Sequence, residues 1–560
     1  MLDNTALYNA LIELEIVDRK LLDESWDEVK DTGDSLGAVL LERDLISDEN
    51  LGMLVADELG LPFVRLEKQM LDRNVLLTIS ESMARARRCL VFKIDEEGEY
   101  HVAMEDPNDL VAIEALKKKL GGKIRIYYAT DRDLRLALFA YRREAAEVFE
   151  EMISKHVGEA RGMVQPEAPI IKMVETMMVY SYQSRASDVH VEPFDDFVQV
   201  RFRIDGVLQD IIRFPRDLHE QVISRIKIMS SLPTDEHATA LDGKFVFEVQ
   251  DVEQVDVRVS IVPSTNGERV VMRLLASNMR QFVLLDLGFS EKSIEKVREA
   301  YLKPFGMILA TGPTGSGKTT TMYAFMKILN KRNVNIMTIE DPVEYQIKGV
   351  NQIQVNNKTN LTFAAGLKSI VRQDPNIILV GEIRDEETAG IAVNAALTGH
   401  LVLSTLHTND AATTLPRLLD MGVEPFLAAS SINLVVAQRL VRKICTSCRV
   451  SKFEDMEVLA KELPKDIIAK HLEKDKKGVR VYSGKGCGVC RNTGYQGRIG
   501  IFEVMVMSEG IREAIANKKD ADTIKRVAVS EGMETMIENG LEKVKLGLTT
   551  IEELLRVIKQ

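Results

Sequence analysis

A glycine-rich segment of eight residues carries the clearest chemical signal in the sequence. It follows the apolar run 307–310, precedes a stretch with a helical pattern (320–329), and reads Gly312, Pro313, Thr314, Gly315, Ser316, Gly317, Lys318 and Thr319. A strand, such a loop and a helix are typical of a P-loop, whose backbone N–H groups surround phosphate oxygens. Lys318 then reaches the β- and γ-phosphates, and the Thr319 hydroxyl binds Mg²⁺. The segment, extended by Thr320, predicts a nucleoside triphosphate site, the alternative being a glycine-rich turn without a ligand.

Residues suited to phosphoryl transfer flank three further apolar segments. These segments span 336–339, 377–380 and 401–406. Because ligands bind at the carboxyl ends of strands in open α/β sheets, we expect side chains there to converge on the γ-phosphate. Glu382 is placed to coordinate a metal or a water, while Glu340 and Glu344 are candidates for orienting the attacking water. His400 and His407 bracket the third segment, and one of them is expected to sense the γ-phosphate. Taken singly, each has a plainer interpretation as a solvated strand end or a structural histidine.

Four of the five cysteines form two CxxC pairs, Cys445 with Cys448 and Cys487 with Cys490. Two such knuckles complete a closed four-thiolate site for Zn²⁺, which has no open coordination position and is therefore structural. Redox-active pairs are the rival interpretation. The charged segment between the knuckles, 451–479, is expected to form a looped-out helical hairpin.

Several elements must position these residues, and the chain is long enough for three or four domains. A helical pattern covers the first seventy residues, and short β-type runs follow at 90–92, 100–103 and 124–128. A further helix near 170–183 precedes strands at 198–204, 245–249 and 255–261. The predicted domains are a helical module (1–72), a small α/β module (73–145), a linker (146–165), an α/β domain (166–285) and the P-loop domain (286–560), with the metal module at 440–500.

Composition narrows the classes of function. The chain has 560 residues, a formal net charge of −12 and a sequence pI near 5.4. Proteins that grip nucleic acid backbones usually carry a basic surplus, so no nucleic-acid partner is expected. No apolar run approaches the length of a membrane span, and the N-terminus lacks the pattern of a signal peptide. A cytoplasmic protein is therefore predicted, and any role at a membrane must run through partners.

The P-loop, the box at 338–344, the segment 381–385 and the two-histidine box together resemble the motifs of secretion and pilus motor ATPases. More narrowly, residues 166–560 resemble the assembly ATPases of type II secretion and type IV pilus systems. The resemblance implies an α/β, RecA-like ATPase core preceded by a PAS-like α/β domain, with a zinc-binding insertion. It also implies ATP, Mg²⁺ and structural Zn²⁺ as cofactors, a homo-hexamer, and inner-membrane platform proteins as partners.

The resemblance also suggests a role for arginines in the α/β domain, because basic residues there close the family's nucleotide site, some from an adjacent subunit. The preferred candidates are Arg203, Arg258, Arg269 and Arg273. An arginine presents a planar charged fork to the departing phosphate. The alternation of charged and apolar residues equally fits half-exposed strands whose arginines face solvent. Where relatives often carry basic residues before an Asp-Gly turn, this chain has the segment 236–243 with none.

The N-terminal segment from Leu36 to Val64 resembles the family's platform-docking domain, which in some members binds cyclic di-GMP. The ligand-binding version has a cation, a glycine and a glutamine where this chain has Ser35, Asp44 and Glu58. Two added carboxylates would repel a dianionic ligand, so cyclic di-GMP binding is predicted to be unlikely. The sequence as a whole predicts a hexameric ATPase motor for pilus or pseudopilus assembly. The alternatives are a ring-shaped nucleic-acid translocase and a nucleotide switch without turnover.

Overall fold

The computed structural model divides the chain into two compact units, Met1–Gln281 and Phe282–Gln560. It describes residues 4–14, 16–32, 35–42, 45–46, 48–66, 69, 71–138, 154–155, 157, 167–249, 253–275, 284–460, 463, 465–472, 474–475, 478–487 and 490–559. The predicted linker, 146–165, lies almost entirely outside these residues. Among the described segments, none of the helices combines the length and hydrophobicity that crossing a bilayer requires.

The first unit begins with four helices, which confirms the helical pattern of the first seventy residues. Helices α1–α4 span Asn4–Glu13, Arg19–Thr32, Leu36–Glu42 and Asp48–Glu58. Their apolar faces pack together around the fully buried Leu11, Leu22 and Leu40. This packing offsets the entropic cost of ordering short helices that are marginal in isolation.

A small three-stranded sheet follows in the order β1-β2-β3 and confirms the three short strands predicted there. The strands are Cys89–Ile94, Tyr100–Met104 and Ile124–Tyr128. Helices α5–α8 span Arg73–Leu76, Glu81–Ala86, Leu110–Leu120 and Asp131–Ala137. Strand residues such as Leu90 and Val102 are buried in one core with apolar residues of these helices, including Leu116.

The first unit ends in a six-stranded antiparallel sheet in the order β6-β5-β4-β9-β8-β7. Strands β4–β9 span Ala186–Pro193, Phe197–Ile204, Val207–Pro215, Leu241–Val249, Glu253–Ser264 and Gly267–Leu275. Helices α9 and α10 span Glu167–Gln183 and His219–Met229. One sheet face, with Val189, Phe202 and Met272, packs against these helices, so the alternate residues form a second, polar face. The predicted helix and three strands are confirmed, and β4, β6 and β9 are additional.

The second unit contains strands β10–β19, at Gly306–Thr311, Ile336–Glu340, Val350–Gln354, Ile377–Val380, Leu401–Leu406, Ile432–Ile444, Arg449–Glu454, Lys474–Asp475, Gly478–Gly484 and Tyr495–Val506. Seven of them form one sheet, β12-β11-β13-β14-β10-β15-β19, which is parallel except for β19. The prediction that β10, β11, β13 and β14 share a parallel sheet is confirmed. These strands are almost wholly buried, as parallel strands covered on both faces are.

Helices cover both faces of this sheet. Helices α11–α17 span Leu284–Leu287, Glu291–Tyr301, Lys318–Leu329, Phe363–Ile370, Glu386–Leu397, Thr414–Asp420 and Pro425–Ser431. Helices α18–α23 span Met456–Leu459, Lys465–His471, Glu509–Ala516, Ala521–Ser530, Met536–Lys545 and Ile551–Ile558. Several of these helices begin at a residue whose side chain accepts a hydrogen bond from an N–H group of the first turn. Asp385 accepts a bond from the Thr388 N–H, and Thr535 forms a capping box with Glu538.

The expectation of a helical hairpin in the charged insertion was incomplete, because two short helices are present but strands surround them. The described residues of the insertion form a three-stranded sheet in the order β16-β18-β17, with the two short helices α18 and α19. Val479 and Val481 on β18 are buried, whereas Arg480 between them is exposed. This alternation has the period of a strand, and the lysine-rich surroundings obscured it.

Lys543 on α22 carries a buried charge that lowers the stability of the second unit. It is 6% exposed, donates to Asn539 Oδ1 at 2.7 Å, and lies 5.9 Å from the centre of the Phe502 ring. Burial lowers the pKa of Lys543 to about 8. Because this is below the unfolded value near 10.4, the penalty is fully present below pH 8 and is lost as the pH rises toward 10.4.

We therefore expect Lys543→Met to stabilise the second unit at pH 7, by up to about 3 kcal/mol at about 1.4 kcal/mol per pKa unit. Asn539 Oδ1 stays satisfied, because it also accepts a bond from the Phe502 N–H at 3.1 Å. Hydrogen exchange of the β19 amides at pH 7 measures the gain. Slower exchange supports the prediction, and unchanged or faster exchange contradicts it.

Candidate functional site

The glycine-rich loop joins the carboxyl end of β10 to the start of α13. The exposed residues of the loop are Pro313, Thr314 and Gly315, whereas Ser316 and Lys318 are buried. Gly312 and Gly317 have φ angles of 147° and 90°, and a Cβ on Gly312 would lie 2.4 Å from the Gln438 carbonyl oxygen. Glycine is therefore required at the first position both by conformation and by space.

Lys318 is folded back onto its own loop. Its ammonium donates to the carbonyl oxygens of Gly312 at 2.9 Å and Pro313 at 3.1 Å. Burial lowers the pKa of Lys318, and the nearby Glu382 carboxylate opposes that shift. A buried ammonium whose hydrogen bonds go to two neutral carbonyls is suited to exchange them for phosphate oxygens, to which charge-assisted bonds are stronger.

Glu382 follows β13 and lies close enough to Lys318 for their charges to interact. Its carboxylate pairs with Arg384 at 2.5 Å and with His407 Nε2 at 3.4 Å. The Thr405 hydroxyl donates to the Gly381 carbonyl at 2.7 Å, which fixes this strand end against β14. The structure thus brings together Lys318, Glu382 and His407. Arg384 was not predicted from the sequence as a site residue, although its position two residues after Glu382 could have indicated it.

The two candidate carboxylates of the β11 segment have different surroundings. Glu340, the last residue of β11, is buried and accepts bonds from the Tyr323 hydroxyl, from Thr338 Oγ1 at 2.5 Å and from Gln352 Nε2 at 3.2 Å. Burial raises the pKa of Glu340, and these three donors oppose the shift. The Glu344 N–H donates to the same Tyr323 hydroxyl at 3.2 Å. Glu340 is therefore engaged by protein donors, and Tyr323 and Gln352 were not found from the sequence.

The two histidines lie at opposite ends of β14. Because β14 is parallel to β10 over the whole of both strands, His407 follows β14 beside the loop, whereas His400 precedes it. Six residues of strand separate the two ends by about 20 Å. His400 Nδ1 lies 3.0 Å from the Ala395 carbonyl oxygen. His400 is therefore not among the side chains gathered at the loop.

Thr319 and Thr320 open α13 directly after Lys318, and Thr319 is exposed. A threonine hydroxyl and a carboxylate such as Glu382 are oxygen donors, the ligand type that Mg²⁺ prefers. The residues at this site therefore fit a Mg²⁺ ion that also contacts phosphate.

The predicted arginines lie in the first unit, on the polar face of its six-stranded sheet. Asp188 pairs with Arg203 at 3.3 Å and with Arg273 at 3.0 Å. Glu192 pairs with Arg269 at 2.5 Å. Arg258 lies opposite Arg273 in the β8–β9 register. Arg203, Arg269 and Arg273 are at least one-third exposed even with these partners, so each side chain keeps part of its surface in contact with solvent.

The four paired cysteines converge on one point. Cys487 Sγ lies 3.8 Å from Cys445 Sγ and 3.7 Å from Cys490 Sγ, and Cys448 Sγ lies 3.8 Å from Cys490 Sγ. Four thiolates at the usual Zn–S distance of about 2.3 Å in a tetrahedron are about 3.8 Å apart, so the residues fit Zn²⁺. Burial raises the pKa of Cys490, but N–H groups of Cys487 and Gly494 outweigh it and lower that pKa to about 7.

Comparisons with known proteins show what the chain is similar to. A family model described as "Type II/IV secretion system protein" matches residues 164–556, and one described as "MshEN domain" matches residues 59–148. The type IV pilus assembly ATPase PilB of Myxococcus xanthus (strain DK1622) is 37% identical over 560 residues, 97% of either chain. The type II secretion system protein E of Pectobacterium carotovorum subsp. carotovorum is 39% identical over 491 residues, 85% of this chain and 96% of the relative.

Among solved structures, the Legionella pneumophila ATPase DotB matches 68% of this chain and 94% of its own, with a TM-score of 0.50 and 19% identity. That similarity supports the RecA-like α/β fold expected for the P-loop domain. The long matches in sequence show more than the fold, because they cover both the P-loop domain and the domain before it. The chain belongs to the family of type II secretion and type IV pilus assembly ATPases.

Proposed function

We propose that this protein is a cytoplasmic, homo-hexameric motor that hydrolyses ATP to power the assembly of type IV pili or type II secretion pseudopili. The observation that carries the proposal is the meeting of Lys318, Glu382 and His407 beside the phosphate loop, at the carboxyl ends of three parallel strands. Family membership supports the coupling to pilus or secretion machinery, because the relatives are named for those machines.

The chain's own residues have separate roles in this proposal. Backbone N–H groups of residues 314–317 cradle the phosphates, and Lys318 leaves its loop carbonyls to contact the β- and γ-phosphates. Thr319 and Glu382 would hold Mg²⁺, which supplies positive charge to the phosphate oxygens when bound. His407 reports the state of the site through its contact with Glu382.

Glu344 is the carboxylate that orients the attacking water. Glu340 is a poor candidate for that task because its oxygens accept three bonds from neighbouring side chains. Arg203, Arg258, Arg269 and Arg273 then supply positive charge to the departing phosphate, from the same or an adjacent subunit.

The partners follow from the same proposal. A second copy of the chain completes each nucleotide site, and the N-terminal region docks on inner-membrane platform proteins. Cyclic di-GMP is not expected to bind, and nucleic acid is not expected to stimulate hydrolysis. Structural Zn²⁺ stabilises the insertion without taking part in the reaction.

Phosphate release by the purified protein tests hydrolysis directly. We expect steady turnover by the wild type and a loss of about 10²–10³-fold in Glu382→Gln, because the variant removes charge where the metal and water are held. Glu387→Gln is the matched control, since Glu387 follows on α15, is 61% exposed and pairs only with Lys368 among the contacts resolved. The proposed motor function would be contradicted if turnover survives Glu382→Gln. It would also be contradicted if the wild type binds ATP without releasing phosphate. Strong stimulation by DNA or RNA would favour a nucleic-acid translocase.

A further inference from the structure

Gln438 on β15 attaches its side-chain amide to two parts of the phosphate-binding segment. Nε2 donates to the carbonyl oxygen of Ser316 at 2.8 Å, and Oε1 accepts a bond from the Thr321 hydroxyl at 2.8 Å. The residue is 2% exposed, so both bonds are shielded from water. One buried side chain therefore connects the loop, the first turn of α13 and the neighbouring strand.

The register of the sheet explains why this residue reaches the loop. Thr311, the last residue of β10, lies opposite Ala437, so Gln438 is the first residue of β15 beyond the end of β10. The backbone of Gln438 also borders the loop, because its carbonyl oxygen occupies the space that a Cβ on Gly312 would need. The side chain thus lies behind the loop, on the side of the sheet core.

The bond to Ser316 has a geometric consequence for the next residue. The Ser316 carbonyl and the Gly317 N–H belong to one planar, trans peptide unit, in which the C=O and N–H vectors point in opposite directions. A donor that holds the carbonyl from behind therefore turns the Gly317 N–H away from the core. In a phosphate loop, that N–H is one of the groups that surround the phosphates.

We propose that Gln438 is a positioning residue for the nucleotide, which aims the Gly317 N–H at the bound polyphosphate by fixing the Ser316–Gly317 peptide plane. This inference rests on the proposed function, since it concerns the same nucleotide site. In this proposal the Nε2 group of Gln438 holds the Ser316 carbonyl. The bond that Oε1 accepts from the Thr321 hydroxyl orients the amide.

Calorimetric titration of the full-length protein with ADP and Mg²⁺ tests the inference. We expect Gln438→Met to raise the Kd for ADP about tenfold, since a buried hydrogen bond is lost and the peptide is free to rotate. The KM for ATP should rise in parallel, with kcat changing much less. Gln438→Glu keeps an acceptor for Thr321 but has no donor for Ser316, so it should be impaired at least as much. Thr321→Val, which keeps the donor, should change the Kd about twofold at most.

Asn433 provides a matched control on the same strand. It is 6% exposed and its Nδ2 donates to the Phe305 carbonyl at 2.9 Å, at the amino end of β10, away from the loop. Asn433→Leu should therefore leave the Kd for ADP unchanged even where it lowers thermal stability. A Kd unchanged in folded Gln438→Glu, or raised equally in Asn433→Leu, would overturn the inference. A wild type that fails to bind ADP would instead overturn the proposed function itself.

Discussion

Replacing Glu344 with glutamine should lower kcat for ATP hydrolysis by about 10²–10⁴-fold, the usual contribution of a positioned acid–base group. The affinity for ADP should hardly change, because the nucleotide is bound by the loop and Lys318. Glu344 is chosen because Glu340, the other candidate, already uses its carboxylate oxygens to accept bonds from Tyr323, Thr338 and Gln352. Single-turnover phosphate release, with ADP binding measured in parallel, separates the chemical step from binding.

Glu340→Gln is the informative companion variant. The side-chain N–H₂ of a glutamine at this position would face side chains that themselves donate hydrogen bonds. One of these buried donors would therefore lose its acceptor. We expect lower stability by about 1–3 kcal/mol and less order in the loop that carries Glu344. Folded Glu340→Gln protein without turnover, beside an active Glu344→Gln protein, would show that Glu340 orients the water and would reverse our assignment.

Much of the P-loop domain was predictable because buried parallel strands leave short apolar runs in a sequence. The runs that became β10, β11, β13 and β14 are each followed by residues of distinctive chemistry, and parallel pairing brings such strand ends to one edge. The same rule explains what happened to His400. It precedes its strand, so parallel pairing with β10 places it at the other edge of the sheet.

The partners of the predicted residues were harder to foresee. Tyr323 on α13 meets Glu340 because that helix packs over the sheet, and such contacts leave no fixed spacing along the chain. Gln438 lies well over a hundred residues from Ser316 in sequence, and only the register of β15 against β10 joins them. The insertion was misjudged for a different reason, since its abundant lysines masked the alternation of buried and exposed residues in β18.

Cys487→Ser should remove the zinc that we expect in the wild type, from about one ion per chain to almost none, because three thiolates and a hydroxyl bind Zn²⁺ far more weakly than four thiolates. The four-cysteine site connects the end of strand β15 to the start of strand β19. Cys445 directly follows β15, and its N–H donates to the Gly494 carbonyl just before β19. Metal analysis gives the stoichiometry. Hydrogen exchange of the variant should be faster in β16, which directly follows Cys448, and in β18, which precedes Cys487, and unchanged in β10.

Cys89→Ser separates this effect from the general loss of a buried thiol. Cys89 is fully buried in the small sheet of the first unit, and burial raises the pKa of its thiol to about 11. Its removal should therefore leave the zinc content unchanged. A wild type that contains no zinc and whose paired cysteines resist alkylation until a reductant is added would favour the redox interpretation. The convergence of both pairs argues against that outcome, because a redox pair needs only two sulfurs, whereas sulfurs of the two pairs lie 3.8 Å from each other, the spacing of thiolates around one Zn²⁺.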